Sequence, residues 1–387
     1  MSASRGLSIC FVAPEAYPTL AGLRSGAVGG AELQLAVMAK ELAARGNRVS
    51  FVAGDYGQPR VSDVDGVRAY RAYRSGYGNR RLRHLSDSVL LFRAMRAGDA
   101  DVYVQRCVFH LTGRAWLFAR MLRRRFVFMS GHDMNAWEPS RLADKGRYYV
   151  RTYVRGVRGA DMVICQDEAQ RSGFEEHYGV RARIAPSVVD TDSFRPSASP
   201  GGGPVLWVGR ISATKRPLAF IDLARMMPER DFVMVASESD PKLGAQVREQ
   251  ASEVANLDFR GYVPQGTMPS VYRECSLLVS TSHVEGFPNV FLQAMATGLP
   301  VVSLLLDPAG VLAASGGGLA CGDRVEELQA AVAALLEDPV RLSDTGRRGR
   351  VYVLAHHAVE VVVPIYEEMF ASVVAGGSSR SGLTDRP

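Results

Sequence analysis

Cysteine is scarce in these 387 residues: Cys10, Cys107, Cys165, Cys275 and Cys321 are odd in number, widely separated, and form no CxxC pair or Cys/His ligand spacing. A disulfide framework and a zinc site are thereby excluded as organisers of the fold, and the five read as small buried hydrophobes. Long apolar runs are missing too. None reaches the ~18 residues of a membrane span, and the apolar stretch 7–13 has neither the length nor the flanks of a signal peptide, so a cytoplasmic protein is expected. Basic residues are not interleaved with stacking aromatics in an RNP-like or helix-turn-helix pattern, so nucleic acid is not an expected partner.

What the chain does have is apolar content, 47% of its residues, over a length that exceeds a single core; two domains follow. Short β-branched runs alternate with longer helical patterns, the mark of βαβ units and parallel sheets. The first series of strands is expected at 7–13, 48–53, 101–105, 126–130 and 162–165. A helix at 31–45 turns Leu35, Met38, Ala39 and Leu42 to one face and stops at Gly46. The Pro/Gly/Ser-dense stretch 196–204 marks a boundary. Beyond it strands are expected at 205–209, 232–236, 257–260, 277–280 and 300–303, with helices between them. The reading is an α/β chain of two Rossmann-like, doubly wound parallel-sheet domains facing a central cleft: residues 1–197, residues 198–357, a helix at 358–374 crossing back to the first domain, and a disordered tail at 375–387.

Charge is unevenly spread. Residues 1–197 hold 30 Lys/Arg against 19 Asp/Glu, whereas residues 198–387 hold 16 against 21. Arg80, Arg81, Arg83 and the run Arg123-Arg124-Arg125 are either a solvated face or a contact for anionic head groups or phosphorylated acceptors. A peripheral position at the inner face of a membrane would suit this basic half.

Chemistry concentrates in a few loops. Glu285-Gly286-Phe287-Pro288-Asn289-Val290 follows a strand and opens a helix, whose free N–H groups suit phosphate or sugar oxygens. Glu285 itself fits hydroxyl recognition or the stabilisation of positive charge on a sugar ring. Gln293, about two turns into the helix, offers an amide to a second set of hydroxyls. After the strand at 205–209 come Gly209, Arg210 and Lys215, two cations suited to gripping a diphosphate as it leaves. In the first half, a long loop ends in Gly29-Gly30-Ala31-Glu32 at a helix start, where glycine lets backbone approach a ligand. A dinucleotide site competes there, since Asp55 ends the next strand, but the GxGxxG turn is missing. His132 and Asp133 follow an apolar strand and should emerge at the cleft.

The segment 280–303 closely resembles the donor-binding motif of family 4 of the retaining glycosyltransferases, enzymes of GT-B architecture, with the pattern EGFxxxxLEAMAxGxPVV. The resemblance spans nearly the whole chain and departs at Gln293, where the family usually has a second glutamate that holds the ribose hydroxyls. It assigns Arg210 and Lys215, through a VGR-x4-K motif, to the donor diphosphate. It sets Gly29, Gly30 and Glu32, through GGAE, across the cleft from the donor, and brings His132 or Asp133 against the transferred sugar. Gly261, Tyr262 and Val263 resemble the loop that holds the nucleotide base. Asp190 and Asp192 mimic a DxD metal motif but sit in the hinge, where Ser187 and Val188 replace the family's Asn and Gly. The resemblance implies a nucleotide-diphosphate sugar as donor, UDP-sugar ahead of GDP- or ADP-sugar, a saccharide or lipid-linked acceptor, retention of anomeric configuration, and no required metal or cofactor. A GT-B epimerase or phosphorylase, or a non-catalytic sugar-nucleotide-binding protein, is the alternative.

Overall fold

A computed structural model describes residues 6–23, 29–73, 80–107, 109–196 and 202–376. Most of the expected tail, the centre of the 196–204 stretch and the side chains of Arg80, Arg81 and Arg83 lie outside the described residues.

The chain forms two compact units. The first contains β1 (Ser8–Val12), β2 (Arg48–Ala53), β3 (Val61–Val64), β4 (Val67–Arg71), β5 (Val102–Arg106), β6 (Arg125–Met129), β7 (Met162–Cys165) and β8 (Arg183–Ile184) in one sheet of order β3-β4-β2-β1-β5-β6-β7-β8. All neighbours are parallel except β3 and β4. Central strands are buried along their length, as expected where helices cover both faces of a parallel sheet. One flank of the sheet packs Phe128 against Tyr153 and Phe174, with ring centroids 5.6 and 6.1 Å apart. Burying each such ring is worth about 1.5–3 kcal/mol.

The second unit contains β9 (Val205–Ile211), β10 (Phe232–Glu238), β11 (Leu257–Gly261), β12 (Leu277–Ser280), β13 (Val301–Ser303) and β14 (Gly318–Ala320), an all-parallel sheet of order β11-β10-β9-β12-β13-β14. Here the chain winds outward from β9 through β10 to β11, then returns to the other side of β9 as β12. The boundary between β9 and β12 is thus a topological switch point, where the two loops leaving the strand ends diverge and open a crevice. In the first unit the same logic places a switch point between β1 and β5.

One feature differs from the sequence expectation. The division falls between Val188 and Val189 rather than at 197/198, because Val189 and Phe194 are buried in the core of the second unit and the Val189 amide donates to the His357 carbonyl. The helix Val359–Ala375 belongs, from Glu360 on, to the first unit. There Glu367 pairs with Arg45 and accepts from Asn47, the Tyr366 hydroxyl donates to the Pro186 carbonyl, and Phe370 sets its ring edge against Phe11.

Candidate functional site

The switch point of the second sheet gathers the residues singled out after β9 and β12. β9 runs two residues further than expected, so Arg210 stands on the strand end and the turn begins at Ser212. A short 3-10 turn, Ala213–Lys215, then carries Lys215 toward the loop after β12. Two hydrogen bonds fix that approach: the indole Nε1 of buried Trp207 donates to Thr281 Oγ1 at 3.0 Å, and Thr281 Oγ1 donates to the Lys215 carbonyl at 2.6 Å. A third, from the His283 amide to the Thr214 carbonyl, zips the loops together. Gly209 is needed for this packing, since a Cβ there would come within 2.8 Å of the Trp207 ring.

Held in this way, the Lys215 ammonium forms an ion pair with Glu285 Oε1, the two side chains being 17% and 14% exposed. Shielding from water strengthens such a pair relative to a surface one. Arg210 is exposed and makes no hydrogen bond or ion pair among the described residues, leaving its guanidinium available. Its neighbour Arg216 is engaged, pairing with Asp323. The structure therefore brings Lys215 and Glu285 into contact and sets Arg210 on the adjoining strand end.

Beyond Glu285, buried Gly286, Phe287 and Pro288 lead into the helix Asn289–Thr297, with Pro288 as its N-cap rather than its first residue. Asn289 and Val290 are half-buried in the first turn. Gln293 departs from the expectation of a freely presented amide. It is 5% exposed, and its Oε1 accepts from the hydroxyl of fully buried Tyr272 at 3.0 Å, so its amide nitrogen is what remains for another partner. Gly261 ends β11 with φ of 61°, a conformation that favours glycine, and leads into half-buried Tyr262 and Val263. That loop stands two strands from β9, roughly 10 Å across the sheet.

In the first unit, His132 and Asp133 follow β6 and are half-buried. The Met134 amide donates to His132 Nδ1 at 3.2 Å, which places the proton of the neutral ring on Nε2. Asp133 Oδ1 accepts from Gln170 Nε2 at 2.9 Å, so the two residues differ in the contacts they make. Sequence reasoning missed Asn135. Nearly fully buried, it accepts from the amides of Gly131 and His132 and donates to the Cys107 carbonyl, tying the ends of β5 and β6 together. Only its place three residues after His132, where a capping-box partner stands, signals the role. Gly29 and Gly30 group with the second unit and Glu32 with the first.

The competing motifs are used structurally. Asp55 accepts from the Gly57 amide and pairs with Arg71. Asp190 accepts from the amides of Asp192 and Ser193 and from the Ser193 hydroxyl, while Asp192 pairs with Arg195. Among the described residues no group of His, Cys, Asp and Glu is placed to hold a metal ion. The run 123–125 is not a free basic patch, because Arg124 pairs with Asp99 and Asp101 and Arg125 with Asp161. Uncompensated charge appears instead on the helix Arg147–Gly159, which has no acidic residue and exposes Arg147, Arg151, Arg155 and Arg158 beside Tyr148, itself 69% exposed. No helix among the described residues is long and apolar enough to cross a membrane.

The chain resembles known proteins at two levels, family and fold. Residues 203–338 match the family model described as Glycosyl transferases group 1, and residues 28–193 match that of Glycosyltransferase Family 4. The D-inositol 3-phosphate glycosyltransferase of Segniliparus rotundus is 26% identical over 216 residues, covering 50% of this chain and 48% of that protein. That of Nocardiopsis dassonvillei is 25% identical over 356 residues, covering 81% and 83%. The matches to the first curated relatives span about half of those proteins' length. Among solved structures, the sucrose-phosphate synthase of Thermosynechococcus elongatus superposes with a TM-score of 0.77 at 18% identity, covering 95% of this chain and 99% of that one. The catalytic domain of starch synthase IV from Arabidopsis thaliana, bound to ADP and acarbose, gives 0.70 at 13% identity, covering 96% and 100%. At such identities the likeness concerns the fold, two parallel-sheet α/β domains of the GT-B class.

Proposed function

Because the chain belongs to glycosyltransferase family 4 and has the GT-B fold, we propose that it transfers a glycosyl group from a nucleoside-diphosphate sugar to a saccharide or lipid-linked saccharide, with retention of anomeric configuration. The observation that carries this reading is the shielded Lys215–Glu285 pair at the β9/β12 switch point, with unpaired Arg210 on the adjoining strand end. Breaking an anomeric C–O bond releases a diphosphate and leaves positive charge on the sugar ring. Arg210, Lys215 and the first amides of the helix Asn289–Thr297 are assigned to the diphosphate. Glu285 orients the sugar hydroxyls and opposes the ring charge. Lys215, touching Glu285, keeps that carboxylate from repelling the phosphates.

The remaining assignments follow the same division. Gly261, Tyr262 and Val263 take the base through their backbone, and Gln293, with its oxygen engaged by Tyr272, donates its amide N–H to the ribose. Gly29, Gly30 and Glu32 belong to the donor-binding set, and His132 donates Nε2–H to a sugar hydroxyl. No metal is required, and a uridine donor is preferred to guanosine or adenosine.

A thermal-shift series with UDP, GDP and ADP tests the donor. At 100 times its Kd a ligand stabilises the fold by about 2.7 kcal/mol, so UDP is expected to raise the melting temperature most; no shift with any of the three removes the reading. The anomeric proton of the product, followed by NMR, decides retention. Turnover of the donor without acceptor, or only with inorganic phosphate, would replace transfer by epimerase or phosphorylase chemistry.

The arginine row on the helix Arg147–Gly159 favours an acceptor presented at an anionic membrane. Each arginine near such a surface contributes about 1 kcal/mol, so changing Arg147, Arg151 and Arg155 together to glutamine should weaken binding to phosphatidylserine-rich vesicles by roughly 100-fold. Equal sedimentation of variant and parent with those vesicles rules the contact out.

A further inference from the structure

Arg216 stands between Lys215 and Pro217, the first residue of the helix Pro217–Met226, with φ of 49° and ψ of 53°. In this left-handed conformation a Cβ crowds the following carbonyl, which disfavours it by roughly 5- to 30-fold for an ordinary residue. A residue ahead of proline is drawn to the extended region besides. Glycine would take the turn freely; arginine has to be held in it. The hold is an ion pair between the Arg216 guanidinium and Asp323, the two side chains being 32% and 46% exposed. Asp323 itself has φ of 67°, and its amide donates to the Leu304 carbonyl at 2.7 Å. Leu304 is buried just beyond β13, and its own amide donates to the Ser280 carbonyl at the end of β12. The partner of Arg216 is thus anchored to the strand ends.

The conformation of residue 216 decides where Lys215 stands. On one side of it the loop is fastened at the Lys215 and Thr214 carbonyls by Thr281 and His283. On the other, the helix Pro217–Met226 buries Phe220, Ile221, Leu223 and Ala224 in the core of the second unit. Four buried side chains make the helix the firmer end, so relaxation at residue 216 would move the short turn and its ammonium rather than the helix. We propose that Arg216 and Asp323 are positioning residues: their ion pair keeps the turn left-handed and so holds the Lys215 ammonium where it meets the donor's diphosphate. Backbone strain of this kind persists only where the surroundings over-determine it, and it collects at functional sites. The inference rests on the glycosyltransferase reading and adds to it what preorganises the lysine.

The test isolates the second phosphate. Calorimetric titration of the full chain with UDP and UMP, and with the guanosine and adenosine pairs, gives the ratio of diphosphate to monophosphate affinity. Contacts to base, ribose and first phosphate cancel in that ratio, as does overall stability, so a merely structural ion pair would leave it unmoved. Asp323→Gly removes the carboxylate and keeps its own turn, since glycine accepts φ of 67°. The ratio should then fall by roughly 3- to 5-fold, the worth of an ion pair of this exposure. Arg216→Ala, which keeps the Cβ and loses the pair, should lower it at least as far, and further than Arg216→Gly does. In an Arg216→Gly chain, where the left-handed turn needs no hold, adding Asp323→Gly should change the ratio no further. A direct electrostatic role has the opposite sign: deleting a carboxylate that repels the phosphates, or freeing the Arg216 guanidinium to reach them, would raise the ratio. An unchanged or raised ratio in Asp323→Gly, or an equal fall in the Arg216→Gly background, would each overturn the assignment and leave the donor reading in place. A parent that binds no diphosphate more tightly than its monophosphate removes that reading, and this inference with it.

Discussion

Replacing Lys215 by alanine is expected to lower glycosyl transfer by roughly 10²- to 10³-fold, or about 2.7–4 kcal/mol of barrier, the effect of deleting one preorganised group that meets developing charge. The fold should survive. The loop is fastened through the Lys215 carbonyl to Thr281 and Trp207, bonds that alanine retains. What the variant loses is the ammonium beside Glu285. The loss should fall mainly on kcat, because an interaction that strengthens as the diphosphate departs is made chiefly in the transition state. Steady-state kinetics with circular dichroism as control decides the point, and near-parental turnover in a folded variant would take Lys215 out of the site.

Glu285→Gln keeps the shape of the side chain and removes its charge, so a fall of about 10²-fold is expected if the carboxylate opposes charge on the sugar ring. The pair makes a sharper forecast. Residues that act as one unit are far from additive, so Lys215→Ala combined with Glu285→Gln should be little worse than the more damaging single change. Losses that multiply would mean that the two act on separate steps, and the contact seen in the structure would then be incidental. Kinetics of the four proteins of this cycle, measured with one donor, provide the answer.

Much of the second unit was readable from the chain because its strands are short apolar, β-branched runs, several of them flanked by glycine or proline, and because Gly209, Arg210, Lys215 and Glu285 occur at strand ends or in the loops that follow them. Their convergence was not readable. It arises because β12 lies against β9, a matter of strand order that no local pattern records. In the first unit β3 and β4 were missed, since charged residues interrupt the apolar period of both strands. A signal was present in Asp65-Gly66, whose φ values of 51° and 78° make the tight turn between them. The boundary was misplaced because the Pro/Gly/Ser stretch is conspicuous, whereas the division at Val188/Val189 is set by which core takes each valine.

The return of the last helix to the first unit governs how the molecule is made. During synthesis, residues 189–359 leave the ribosome complete and able to settle their own core, while the earlier sheet still lacks Val362, Val363, Tyr366 and Phe370. The earlier-made unit is therefore the last to mature, and it waits half-finished, apolar surface showing, until the helix Val359–Ala375 has been made. A nonsense mutation near codon 359 would spare the later-made unit and strand the earlier one as a substrate for chaperones.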